Sequence, residues 1–361
     1  MTSVQNVHFC AEDLNAFCVN KTLGEIVMEA SEAAKNALEN VLEAVAGESI
    51  FIICDDEKLE IGKAFADGAL TLGSWTRIMV LQTTRKPRTE VPDRLLEVFT
   101  QQKPDLYINL VREIREETPF RISIVKMETR DRRSRLGHCP GIKNDMLTDG
   151  ALALEPQEHR KMQSYAEKLI QALNRTLEVE IRNPAGTLLR LSTENREFFT
   201  DTKLDWKSMK WMNLPTGEVI VAPVEDSLNG KLVCDMAIGG IGKIKAPVEV
   251  IAKNGRVESV FSKDKIVLRK VKETFETDGW SDIVGEFAFG INPKARFVNE
   301  FLEAEKILGT VHVAFGTNAD MPGGKNPSKN HIDLLISKPT VKVKRENGEV
   351  TTILEKGRFQ I

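Results

Sequence analysis

The chain has 361 residues, 41% of them hydrophobic and 29% charged, enough for two domains that each bury a core. Its 50 basic and 53 acidic residues leave a formal net charge of -3, so nothing advertises a nucleic acid or another polyanion as partner. The longest apolar runs, such as IFIIC at 50–54, fall far short of a membrane span, and no signal-peptide pattern is present; the expectation is a soluble, cytoplasmic protein without membrane contact. Cys10, Cys18, Cys54, Cys139 and Cys234 are odd in number and lack CxxC spacing, which argues against a disulfide framework and a thiolate zinc site.

In chain order, Ala34, Ala37, Leu38, Val41, Leu42 and Val45 recur at helical spacing and predict one apolar helix face. SIFIICD (49–55) reads as a buried strand, followed by a helix over about 58–72 and the strand RIMVLQ (77–82). VPDRLLEVFTQQ predicts a helix with Pro92 suited to its first turn. DLYINL (105–110) and RISIVKM (121–127) are read as further strands, and 156–174 as the closing helix. Short strands separated by helices imply parallel β-α-β units, hence a doubly wound parallel α/β domain over 1–175.

Beyond it the pattern turns to short, β-branched, alternating segments such as LEVEIRN, GEVIVAPV and TVKVKRENGEVTTILE. Asn229-Gly230, Asn254-Gly255 and Asn347-Gly348 read as hairpin turns, and two helical stretches are expected at 264–278 and 295–307. The expected fold over 176–361 is therefore a mixed, mainly antiparallel, β-rich α+β domain.

The chemistry concentrates there. His331 and Asp333 in NHIDLLIS would share a strand face at positions i and i+2, the neighbouring N and O donors a divalent cation needs. A surface strand end with a His–Asp hydrogen bond is the other reading. His312, in GTVHVAFG, is either a satisfied core histidine or a ligand. Glu286 sits among apolar residues in DIVGEFAFGINP, where burying a carboxylate is costly unless a cation or hydrogen bonds compensate. Glu218 opens the strand of NLPTGEVIVAP, a place where glutamates are commonly solvated.

LPTGEVIVAP, GEFAFGIN, HVAFG and GGKNPSKNHIDLLI resemble, in this order and at similar spacing, the motifs of the aminopeptidase T group, peptidase family M29. The resemblance covers about 176–340 and implies a metal-binding second domain with Glu218, Glu286, His312, His331 and Asp333 as ligands to one or two divalent ions, Zn, Co or Mn. It further implies a metalloaminopeptidase that activates water for amide hydrolysis in a short peptide or small molecule. Glu286 would bridge two metals, Glu218 would ligate or carry a proton, and the protein would be a homodimer. The family's tyrosine seven residues after the first histidine is Ala319 here, and only 18 residues lie between His312 and His331.

The chain is also similar to 2,5-dihydroxypyridine dioxygenases, which implies as an alternative a single Fe(II) held by two histidines and a carboxylate. RLGHCPGIKNDML (135–147) is closer to that branch. Its His138 reads either as a general acid/base that reaches the site from the first domain or as a loop histidine beside the basic run Arg130, Arg132, Arg133 and Arg135. A third reading is a non-catalytic, metal-stabilised protein. IGGIGK (238–243) lacks the Walker spacing and a following helix, so it reads as a tight turn near the metal site; GGKNPSKN, with Lys325 and Lys329, reads as a loop that orders His331. Cys139 has no activating base in view.

Overall fold

Helix α1 (Ala30–Asn40) buries Ala33, Ala34, Ala37 and Leu38, and the stripe runs on through Val41 and Leu42, whereas Val45 is exposed. The computed structural model describes residues 27–130, 133–204 and 211–361, so Cys10, Cys18 and Arg132 lie outside the described residues. Strand β1 (Ser49–Asp55), helix α2 (Leu59–Thr71), β2 (Trp75–Leu81), α3 (Asp93–Gln101), β3 (Leu106–Leu110), α4 (Thr118–Thr129), β4 (Arg135–His138), α5 (Asn144–Thr148) and α6 (Pro156–Ala172) follow. The strands form a parallel sheet in the order β2-β1-β3-β4. Helices cover both of its faces, as the alternation of elements predicts.

One strand was misplaced by the sequence. RISIVKM is helical, part of α4, because Phe120, Ile124 and Glu128 fall at i, i+4 and i+8 and are its buried stripe. Ile122, which makes the segment look alternating, is 42% exposed. The fourth strand is instead RLGH at 135–138, four residues buried throughout. His138 therefore ends a central strand and is not in an irregular loop.

The second half contains β5 (Thr176–Arg182), β6 (Leu188–Ser192), β7 (Phe199–Thr200), β8 (Trp211–Asn213), β9 (Glu218–Val221), β10 (Asn229–Cys234), β11 (Ala237–Ile238), β12 (Gly242–Lys243), β13 (Val248–Lys253) and β14 (Arg256–Ser262). Helix α7 (Lys265–Phe275), β15 (Val284–Gly290), α8 (Phe301–Ala304), β16 (Val311–Gly316), β17 (His331–Ile336), β18 (Thr340–Arg345), β19 (Val350–Glu355) and β20 (Arg358–Phe359) complete it. Asp264 caps α7 by accepting the N–H groups of Ile266 and Val267. Within the stretch expected to be helical at 295–307, only α8 forms an α-helix.

Two antiparallel sheets result, β14-β13-β10-β6-β5-β18-β19-β20 and β12-β11-β17-β16-β15-β9-β7. They share one core, with Val179, Leu191 and Val343 from the first meeting Val221, Phe287, Phe315 and Leu334 from the second. Helix α6 adds Met162, Ala166 and Leu169 to this core, while β8 pairs with β4 as the fifth parallel strand. Segments on either side of residue 175 thus cross over between the two halves. Asn254-Gly255 and Asn347-Gly348 join paired strands. Asn229-Gly230 does not turn: it opens β10, where a Cβ on Gly230 would stand 2.2 Å from the Leu188 carbonyl oxygen. Among the described residues no helix is long and apolar enough to cross a membrane.

Candidate functional site

Strands β9, β15, β16 and β17 lie side by side, and their two faces differ completely. Val219, Val221, Phe287, Phe289, Val311, Val313, Phe315, Ile332, Leu334 and Ile336 point into the shared core. The alternate positions carry Glu218, Glu286, His312, His331 and Asp333, interspersed with Ala288, Gly290, Ala314 and Gly316. Small residues between the polar ones leave their heads room to converge.

Glu286 reaches that face through a bulge. Val284 belongs to the core, so strict alternation would send Glu286 there too; the register slips between Val284 and Glu286, and Gly285 is the extra residue. A Cβ on Gly285 would stand 2.5 Å from the Gly316 carbonyl oxygen, so the bulge needs glycine.

The five side chains meet. His312 Nε2 lies 3.1 Å from Glu286 Oε1, 3.5 Å from Glu218 Oε1 and 3.9 Å from Asp333 Oδ1. His331 Nε2 lies 3.2 Å from both Glu286 Oε2 and Asp333 Oδ1. The Nδ1 of His331 is 2.9 Å from the Thr317 carbonyl oxygen, an acceptor only, so Nδ1–H donates and Nε2 is the ring atom that faces the carboxylates. The Gly/Pro/Asn loop holds that carbonyl in place. Thr317 N–H donates to Asn330 O at 2.7 Å, Asn326 N–H donates to Asn318 Oδ1, and the Asn318 amide donates to Gly285 O. Gly239, on the β11–β12 turn, brings backbone against Asp333: its N–H donates to Asp333 O at 2.9 Å.

Three groups that the sequence did not single out complete the set: Asp201, Glu305 and Lys306. The Lys306 ammonium is paired with Glu218 Oε2, lies 2.9 Å from Glu305 Oε1 and is 3.4 Å from Asp201 Oδ2. Asp201 Oδ1 also accepts the N–H groups of Gly217 and Glu218, which fixes the start of β9. Glu305 and Lys306 lie in EAEKILG and Asp201 in FFTDTK, short charged stretches whose burial comes only from the segments packed over them.

Electrostatics follow from five carboxylates crowded out of water. Burial pushes Glu218 up to about 7 against the pull of Lys306 and His312. Burial opposes charge on His312, yet Glu218 and then Glu286 carry it up to about 10. His331 is raised as well, chiefly by Asp333 against burial. Burial would raise Glu286, but hydrogen bonds from His312 and His331 outweigh it and hold the carboxyl low.

This donor set suits a divalent cation. Two imidazole nitrogens and several carboxylate oxygens face one space; Glu218, Glu305 and His312, and separately Glu286, His331 and Asp333, each bring three donor atoms within 4.8 Å of one another. Glu218 Oε1, though buried, has no hydrogen-bond partner. A cleft of about 150 Å3 opens onto Glu218, Glu286, His331 and Asp333, with Phe199, Trp211, Met212, Ile220 and Met321 as apolar walls.

His138 is not among the residues that line this cleft. It is buried, packs edge-on to Trp211 at 6.4 Å, leaves Nδ1 without a partner and is held down to about 3 by burial, so its ring is neutral. Cys139 is buried and its thiol is pushed up. Ala319 is exposed on the loop after β16.

The sequence pattern of the thermophilic metalloprotease (M29) family matches residues 155–359. The chain belongs to that family. Its matched span starts at α6, the helix that packs on the second-half core, and includes all five converging residues. AmpT from Thermus thermophilus has a similar structure, with TM-score 0.67 and 16% identity over 92% of this chain and 99% of that one. A 2,5-dihydroxypyridine dioxygenase from Pseudomonas putida KT2440 is similar too, with TM-score 0.63 and 14% identity over 91% and 96% of the two chains. At these identities the likeness shows a shared fold. No curated protein matches the chain. Family membership implies use of a divalent metal.

Proposed function

We propose that the chain is a metal-dependent aminopeptidase in which Glu218, Glu286, His312, His331 and Asp333 hold divalent metal, Zn, Co or Mn. The observation that carries this reading is the convergence of these five side chains from four adjacent strands onto one polar face above an apolar core. When bound, such an ion supplies a Lewis acid and brings the pKa of a water near neutrality.

The chain's own residues do the rest. Thr317 keeps His331 in the tautomer that offers Nε2. Glu286, set between the two imidazoles, is ionised throughout the neutral range. Glu218 presents Oε1 free of hydrogen bonds towards the candidate metal position, which suits it to ligate the ion or to take a proton from water and pass it to a leaving amine. Trp211, Phe199 and Met321 supply apolar surface at the cleft for the first side chain of a short peptide.

The test is metal content by elemental analysis after anaerobic purification, followed by release of N-terminal residues from short peptides. Stoichiometric Zn, Co or Mn with chelator-sensitive release supports the reading; no stoichiometric metal after reconstitution defeats it. A second reading, a mononuclear Fe(II) ring-cleaving dioxygenase, is favoured by one feature: Ala319 stands where the family pattern has a tyrosine, so the candidate donor set is two imidazoles and carboxylates without a phenol. One Fe per chain with O2 uptake on a dihydroxylated aromatic ring would select it.

A further inference from the structure

The carboxylates of the candidate metal centre form two halves, and a lysine already sits in one of them. Lys306 is almost wholly enclosed, its side chain 2% exposed, and its ammonium touches Asp201, Glu218 and Glu305. Its backbone has no freedom to withdraw: Lys306 N–H donates to Glu303 O, and Lys306 O accepts from Asn292 N–H at 2.9 Å. Asn292 is itself buried and anchored by its amide to the Ala151 and Thr216 carbonyls.

We propose that Lys306 permanently occupies the Asp201–Glu218–Glu305 half of the site, so that the chain holds a single divalent cation in the Glu286–His312–His331–Asp333 half. This rests on the metal-centre reading given above and narrows it. An enclosed ammonium that left its carboxylates would remain buried without a partner, which is far costlier than keeping the contact. A second dication on the same three carboxylates would have to sit within a few ångströms of a fixed positive charge, in surroundings where like charges are poorly screened. Glu218 is divided between the two halves: Oε2 holds Lys306, while Oε1 has no hydrogen bond and lies 3.5 Å from His312 Nε2, on the side of the remaining cation. Lys306 thus acts as a built-in monovalent ion in a place where His312, Glu218 and Glu305 would otherwise make a second three-donor set.

The experiment is a metal count. Full-length protein is stripped with chelator, titrated with Mn(II) or Co(II) alone, and read by calorimetry and by elemental analysis after desalting. One equivalent per chain is expected for the unsubstituted protein and two for Lys306→Met, which keeps the volume and removes the charge. Two equivalents in the unsubstituted protein, or one in folded Lys306→Met at the same free metal, would overturn the proposal. If Lys306→Met does not fold, the unsubstituted count decides by itself. No uptake at all would overturn the metal-centre reading and this inference with it, an outcome distinct from a count of two.

Discussion

Asp55, the last residue of β1, and Glu117, directly before α4, are fully buried against Arg88 and Arg112, with Arg88 2.5 Å from Asp55 and 2.7 Å from Glu117, and Arg112 2.5 Å from Glu117. Two negative charges meet two positive ones, and Asp55 Oδ2 accepts the Arg112 N–H besides. On the polar face of the second half, Asp201, Glu218, Glu286, Glu305 and Asp333 share Lys306 and two imidazoles. A balanced buried cluster is complete as it stands and has nothing left to bind. One in which carboxylates outnumber cations is finished only by protons or by an added cation, and that asymmetry separates a structural cluster from a site.

The comparison breaks most visibly if ligands are removed. Asp333→Asn or His331→Ala is expected to abolish stoichiometric metal retention, a loss greater than the roughly 10–100-fold typical of residues that merely orient a ligand. Measured by calorimetry on the folded variants, unchanged metal affinity would show that the convergence of Nε2 and carboxylates is only structural. Glu117→Gln should do the opposite: cost about 3–5 kcal/mol in denaturant unfolding by leaving Arg88 and Arg112 underpaired, with metal uptake intact.

How much of this contrast was visible in the sequence depends on where the signal sat. The i, i+2 spacing in HIDLLI put His331 and Asp333 on one strand face, while Glu218, Glu286 and His312 were legible only through the motifs that resemble family M29. The bulge at Gly285 was not, although it decides that Glu286 faces the site and not the core. Lys306 and Glu305 were invisible because their burial is imposed by contacts distant in sequence, such as Glu218 88 positions away. In the first half, Ile122 and Ile124 imitate a strand, whereas β4 is so short that it has no apolar run to read. Sequence pattern reports what a segment does to its own neighbours; charge pairing across 88 residues lies beyond it.

The two regions should also answer pH with opposite sign. Burial would raise Glu117, but hydrogen bonds from Arg112 and Arg88 outweigh it and pull it to about 2, below its ordinary 4.5, so its contribution is present above pH 4.5 and is lost as pH falls toward 2. His138 and His159, held down by burial to about 3 and about 4, stay neutral while the unfolded chain takes up protons below about 6.5. They therefore erode stability as pH falls from 6.5. In chelator-treated protein, His312, raised to about 10, contributes stability that is complete below 6.5 and lost as pH rises through 10. Denaturation midpoints of the metal-free chain should thus fall on both sides of neutrality, and His138→Phe should flatten only the acid side between 6.5 and 4.5. An acid limb that His138→Phe leaves unaltered would remove this histidine from the account.

The smallest expected effect probes how tightly the site is built. Gly239 has an ordinary φ, so alanine there strains no backbone; its only obstacle is space, since a Cβ would stand 3.1 Å from Asp333 Oδ2 and 3.3 Å from Asp333 N. The carboxylate must give by a few tenths of an ångström, and it is the same carboxylate whose other oxygen, Oδ1, lies 3.2 Å from His331 Nε2. Because the Gly239 N–H bond to Asp333 O survives the change, the fold should be nearly as stable as before, while metal affinity should weaken by up to about tenfold, at the low end of what reorienting a ligand costs. A loss in unfolding stability with unchanged metal affinity would mean that the glycine serves the turn, not the carboxylate, and that the asymmetry of charge alone, without close packing around it, is enough to make this face a site.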